Sequence, residues 1–180
     1  MIVIVHGYEG SGEGHWQRWL HDQLRAGGHA VVFPDLPAPA APSKDEWVAA
    51  VAAIVAPATT PVTFVCHSLG CWALDHLLAT HPGLPVHAAL LVAPPSPLLP
   101  FEPVESFLPP PRRRDAWAAI ASRTLVVGSD DDDYASPEEI ADVARALDTP
   151  HRILPGAGHI NVASGYGPWP FALEWLKGVL

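Results

Sequence analysis

Short apolar runs rich in Val and Ile recur along the chain at Ile2 to Val5, Ala30 to Phe33, Val62 to Cys66, Ala88 to Val92 and Thr124 to Val127, and Ile153 and Leu154 end a sixth. None alternates apolar with polar positions, which is the pattern of strands covered on both faces of a parallel sheet. Between the runs the spacing predicts helices over His15 to Ala26, Lys44 to Ala56, Leu69 to Thr80, Arg113 to Ala121, Pro137 to Leu147 and Pro170 to Val179. Two of them carry start signals. Ser43 precedes Glu46 at capping-box spacing, and Ser136 is followed by Pro137, Glu138 and Glu139, an N-cap with a first-turn proline and early acids. Strands alternating with helices predict an α/β three-layer sandwich of about six parallel strands joined by right-handed crossovers. Such sheets bind ligands at the carboxyl ends of their strands, so the loops that follow the strands are where chemistry is expected.

Two proline-rich stretches interrupt this rhythm. Pro94 to Pro111 also holds Leu98, Leu99, Phe101, Phe107 and Leu108; it is too rich in proline for a regular helix and too apolar for a solvated linker. It is read as a stiff loop over the site. Pro34 to Pro42 is read as a rigid connector between the second strand and its helix. At 180 residues and 49% apolar, the chain can bury one core but is short for two domains, and it leaves little room for a large cap domain.

A net charge of -9, from 10 Lys and Arg against 19 Asp and Glu, argues against a nucleic-acid partner. The arginines at 112 to 114 stand beside Asp115 and read as a solvated face. No apolar run reaches the ~20 residues of a membrane span, and Met1 leads into a strand without a charged leader, so no membrane association and a cytoplasmic location are expected. Cys66 and Cys71 lie too close together to suggest a disulfide framework and read as small buried apolar residues. Nothing in the pattern sets an oligomeric state.

The candidate chemistry lies in four loops. Ser68 sits in Val65-Cys66-His67-Ser68-Leu69-Gly70, between an apolar run and a helical segment, the context of a strained turn that exposes a nucleophilic serine. Cys66 stands where that turn usually has its first glycine, and a plain helix N-cap is the competing reading for Ser68. His159 lies between glycines in Gly156-Ala157-Gly158-His159-Ile160-Asn161, after the last strand. Between them come Asp130, Asp131, Asp132 and Asp133, at the end of the fifth strand. Serine, acid and histidine in that order, each after a different strand, is the arrangement of α/β-hydrolase triads, in which the histidine takes the serine proton and a carboxylate orients the imidazole. The acid run leaves open which carboxylate does so. It lacks the alternating ligands, central glycine and closing glutamate of a calcium loop, and neither metal nor cofactor is expected.

The fourth loop follows the first strand: His6, Gly7, Tyr8 and then a glycine-rich segment. Tetrahedral intermediates of acyl transfer need two backbone donors, and the amides of Leu69, after the serine, and Tyr8 are the candidates. No register of these glycines gives Gly-x-Gly-x-x-Gly, and no Gly-Lys-Ser/Thr is present, so a nucleotide-binding reading fails.

Together these motifs resemble the small α/β-hydrolase-fold serine hydrolases related to retinoblastoma-binding protein 9. The resemblance runs through His6-Gly7, His15-Trp16, Trp19-Leu20, Pro34-Asp35, Asp45-Glu46-Trp47, His67-Ser68-Leu69-Gly70, and Gly158-His159-Ile160-Asn161 with Ser164-Gly165 and Gly167-Pro168-Trp169. It implies a catalytic acid in a Ser-x-x-Asp-Pro-aromatic segment, which lays Ser129, Asp132 and Tyr134 on that pattern and selects Asp132. Asp133 replaces the proline, so a slip to Asp131 stays open. It also implies a sheet without a cap and a small ester substrate, or an amide, cleaved through an acyl-enzyme on Ser68. His15, Trp16, Phe101, Phe107 and Trp169 are the candidate pocket residues, although a tryptophan at a helix start or in a turn is commonly core. The alternative from another class is a protein-interaction module that keeps the fold without the activity.

Overall fold

A computed structural model describes residues 1–180. Six strands form one parallel sheet: β1 (Ile2–Val5), β2 (Val31–Val32), β3 (Val62–His67), β4 (Val86–Val92), β5 (Thr124–Ser129) and β6 (His151–Leu154), in the order β2-β1-β3-β4-β5-β6. The helices are α1 (Trp16–Ala26), α2 (Lys44–Val55), α3 (Leu69–Thr80), α4 (Arg114–Trp117), α5 (Pro137–Leu147) and α6 (Pro170–Val179). The sheet reverses its direction of growth between β1 and β3, so the loops after these two strands open into one crevice.

Each face of the sheet carries its own core. On one side Trp47, Val48 and Val51 of α2, Trp72 and Leu77 of α3 and Ile140 and Val143 of α5 cover Val3, Val5, Phe64 and Leu91. On the other, Trp16, Leu20 and Leu24 of α1 and Ala172 and Leu176 of α6 cover Ile2, Ile4, Val65 and Leu90. The strands therefore bury both faces, which is why their sequence shows continuous apolar runs. The architecture is a compact three-layer α/β sandwich. No helix is long and apolar enough to cross a membrane.

Two local expectations are corrected. Ser136 forms the full capping box with Glu139, but Ser43 makes no side-chain cap bond; the Lys44 N–H instead donates to Ser106 Oγ at 3.2 Å, so a tertiary partner replaces the local one. The helix expected over Arg113 to Ala121 is a single α turn, Arg114–Trp117, followed by a 3-10 turn at Ala121–Arg123. Trp117 is buried there, its indole N–H donating to Asp75 Oδ1 at 2.7 Å, while the Arg112 N–H donates to Asp75 Oδ2 at 2.7 Å. These two bonds to one buried carboxyl anchor the end of the proline-rich loop on α3. Within that loop Glu102–Phe107 forms a 3-10 helix.

Candidate active site

Ser68 joins β3 to α3 with φ 52° and ψ -125°, a conformation that costs a non-glycine residue roughly 1–3 kcal/mol and survives only where its surroundings enforce it. Here two close approaches do so. A Cβ on Gly70 would lie 2.6 Å from the carbonyl oxygens of Val5 and His6, and one on Gly7 would lie 2.7 Å from Ser68 Cβ. Only glycines let the start of α3 and the serine turn sit against the end of β1. Ser68 holds the N-cap position of α3 but makes no capping bond; its Oγ instead lies 2.9 Å from His159 Nε2.

On its other side the imidazole Nδ1 stands 2.9 and 3.0 Å from the two oxygens of Asp132, whose side chain is 1% exposed. Serine, histidine and a buried carboxylate thus form one continuous hydrogen-bonded line. The other members of the acid run are spent differently. Asp131 accepts the Gly158 N–H at 2.6 Å and the Ser129 hydroxyl at 2.6 Å, and Asp130 accepts the Gly156 N–H at 2.7 Å. Hydrogen bonding by Ser129 and Gly158 holds the Asp131 carboxyl below its usual range. Asp130 and Asp131 thus bind the backbone of the loop that carries His159, while Asp133 is exposed.

The two amides proposed as oxyanion donors, Tyr8 and Leu69, have no acceptor within the protein. The aim of the first is set by His6. Its Nε2 accepts the Leu36 N–H at 3.3 Å, leaving Nδ1 to donate to the Gly7 carbonyl at 2.8 Å. That carbonyl and the Tyr8 N–H belong to one planar peptide, so holding the oxygen directs the N–H the opposite way. Burial pushes the His6 pKa down, keeping the imidazole neutral for this role.

The profile of the serine hydrolase family matches residues 2–178. The chain belongs to that family. YdeN of Bacillus subtilis, a hydrolase by name, is 32% identical over 80 residues, a stretch that makes up 42% of each chain. The crystal structure of the ydeN product matches this one with a TM-score of 0.88 at 24% identity, over 99% of this chain and 97% of that one. A YdeN-like hydrolase from Pectobacterium atrosepticum matches with a TM-score of 0.80 at 26% identity, over 99% and 89%.

Two clefts of this serine hydrolase meet at Ser68. One, of about 290 Å³, is polar and runs from the loop after β1 past His15 to Asn161, Val162 and Ala163. The other, of about 190 Å³, is apolar and is walled by Leu69, Pro95, Leu99, Phe101 and Val104. Of the five residues expected to line the pocket, His15 and Phe101 do so. Phe107 does not: it is fully buried against Trp47, because the 3-10 helix turns it inward. Trp16 and Trp169 are also corrected, since they pack edge to face in the core at 5.1 Å.

Several supporting residues went unread in the sequence. His67, fully buried, donates from Nε2 to the His159 carbonyl at 2.9 Å, and burial drives its pKa well down, so it is neutral. Gln17 is buried as well; its amide donates to the Val5 carbonyl at 3.0 Å and its oxygen accepts the Ser11 hydroxyl at 2.7 Å, tying the glycine-rich loop to the sheet. A polar residue on the buried face of a helix is the only signal that could have marked Gln17.

Proposed function

We propose that the protein is a carboxylesterase-like serine hydrolase that cleaves small esters through an acyl-enzyme on Ser68. The observation that carries this reading is the hydrogen-bonded line from Ser68 Oγ through His159 to Asp132, on a strained strand-to-helix turn. His159 Nε2 takes the serine proton as Oγ bonds to the acyl carbon, and Asp132 holds the tautomer with Nδ1 protonated and steadies the imidazolium. The oxyanion that forms is met by the free N–H groups of Tyr8 and Leu69. As the bond from the acyl carbon to the alcohol oxygen breaks, His159 gives that oxygen the proton. Water then repeats the sequence, losing its proton to His159 while attacking the acyl carbon, and Ser68 leaves with the proton returned.

Labelling by a fluorophosphonate serine probe, read by intact mass, tests the proposal. One adduct is expected on the native protein, none on Ser68→Ala, and much slower labelling of His159→Ala and Asp132→Asn. A folded native protein that takes up no probe would overturn the reading and leave an interaction module on the same fold as the better account.

A further inference from the structure

The two clefts at Ser68 differ in chemistry, and His159 borders both, so either could receive the leaving group by reach alone. Asn161 to Ala163, on the loop that carries His159, line only the polar cleft, whereas Leu69 and Val104 line only the apolar one. The alcohol oxygen must receive a proton from His159; the polar cleft continues along the loop that follows His159 and suits a polar alcohol, while the walls of Leu69, Pro95, Leu99, Phe101 and Val104 suit an acyl chain.

His15 gives the polar cleft its recognition element. The residue is 5% exposed, and its Nδ1 accepts the Gln17 N–H at 3.2 Å, capping α1. Burial foremost, then the neighbouring His159, lowers its pKa to about 4, so the ring is neutral at pH 7 and carries its one proton on Nε2. That N–H has no protein acceptor, and it is not sealed from solvent, since the fully enclosed unpaired side-chain atoms are Trp72 Nε1 and Thr149 Oγ1. The ring borders the polar cleft and also a neighbouring depression lined by Glu13, Arg18, Trp19 and Pro168, and its donor has nothing in the protein to bind. Glu9 borders both clefts, and no Lys or Arg lines either, so an anionic group has no cation to pair with there.

We infer that the apolar cleft holds a short acyl chain and the polar cleft holds a neutral, hydroxyl-bearing alcohol with an oxygen accepting from His15 Nε2. The substrate class is then the short-chain monoester of a polyol, a refinement that rests on the esterase reading above.

The test compares glyceryl monobutyrate with ethyl butyrate, which differ only in the alcohol, and ethyl butyrate with ethyl acetate, which differ only in the acyl group. The variants are His15→Asn, which keeps an N-cap acceptor but is too short to reach the cleft, and Leu99→Trp, which fills the apolar side. The native protein is expected to prefer the glyceryl ester. In His15→Asn the ratio of kcat/KM for glyceryl over ethyl butyrate should fall about tenfold, mainly through KM, as expected for the loss of one hydrogen bond. In Leu99→Trp the ratio of butyrate over acetate should fall by a similar factor while the alcohol ratio holds. No glyceryl preference in the native protein, or an acyl-chain effect from His15→Asn, would overturn the division of the substrate. Retained probe labelling of Ser68 in that case leaves the esterase reading standing; loss of labelling in the native protein removes both.

Discussion

The indole N–H of Trp16 donates to the carbonyl oxygen of Ile160 at 2.8 Å, joining two residues 144 positions apart. Ile160 directly follows His159 and has φ 50°, a left-handed conformation that a β-branched residue rarely adopts. The bond helps hold that strained residue, and with it the imidazole. Trp16→Phe is expected to lower stability by about 1–3 kcal/mol, because the buried carbonyl is left unpaired. It should also lower kcat more than it raises KM, since the loop that positions the base loosens. Thermal denaturation together with steady-state kinetics on a small ester checks both.

The neighbours Asp131 and Asp132 are predicted to fail in different ways. In the proposed mechanism Asp132→Asn removes the charge that steadies the imidazolium and favours the wrong tautomer, so kcat should fall about a thousandfold or more. Asp131→Ala removes only the acceptor for Gly158 and Ser129, and its effect should be nearer tenfold, through misplacement of His159. Kinetics of the two variants at one pH separates them; equal losses would contradict the assignment of the acid.

Gly70→Ala is predicted to disrupt the serine turn even though alanine is the better helix former. Its Cβ would meet backbone oxygens of β1, which cannot swing away as a flexible side chain can. Overpacking of this kind costs about 1–3 kcal/mol, and moving the end of β1 would also displace the proposed Tyr8 donor. A lower Tm with slower probe labelling is the expected result.

Stability should fall on mild acidification. His6, His15 and His67 all have pKa values lowered first by burial, to about 4 for His15. The unfolded chain takes up protons on these groups as pH drops through about 6.5, while the folded protein does not, so the stability tied to their neutral forms is complete above that pH. It is lost progressively toward each folded pKa. Tm should decline between pH 7 and pH 5, before most carboxylates titrate, and His67→Gln should flatten the decline. A Tm that is level or rising over that interval would contradict the buried, neutral assignment.

The amino-acid sequence by itself determined the layered α/β fold, because strands buried on both faces can hardly tolerate polar positions and helices covering them need a periodic apolar stripe. It also brought Ser68, the acid run and His159 to the same edge of the sheet, since a parallel sheet puts every loop that follows a strand there. Tertiary structure alone decided the division of labour within that edge. Which of four adjacent aspartates meets His159 depends on where Gly156 and Gly158 dock their amides, a match between loops 26 and 27 residues apart. Whether an aromatic residue lines the pocket or fills the core depends on the turn that carries it, and so Phe101 faces the cleft while Phe107, six positions on, is buried under α2. Local pattern encodes burial and direction along the chain; the pairing of hydrogen-bonding groups from distant loops is set only when the packed layers fix their distance.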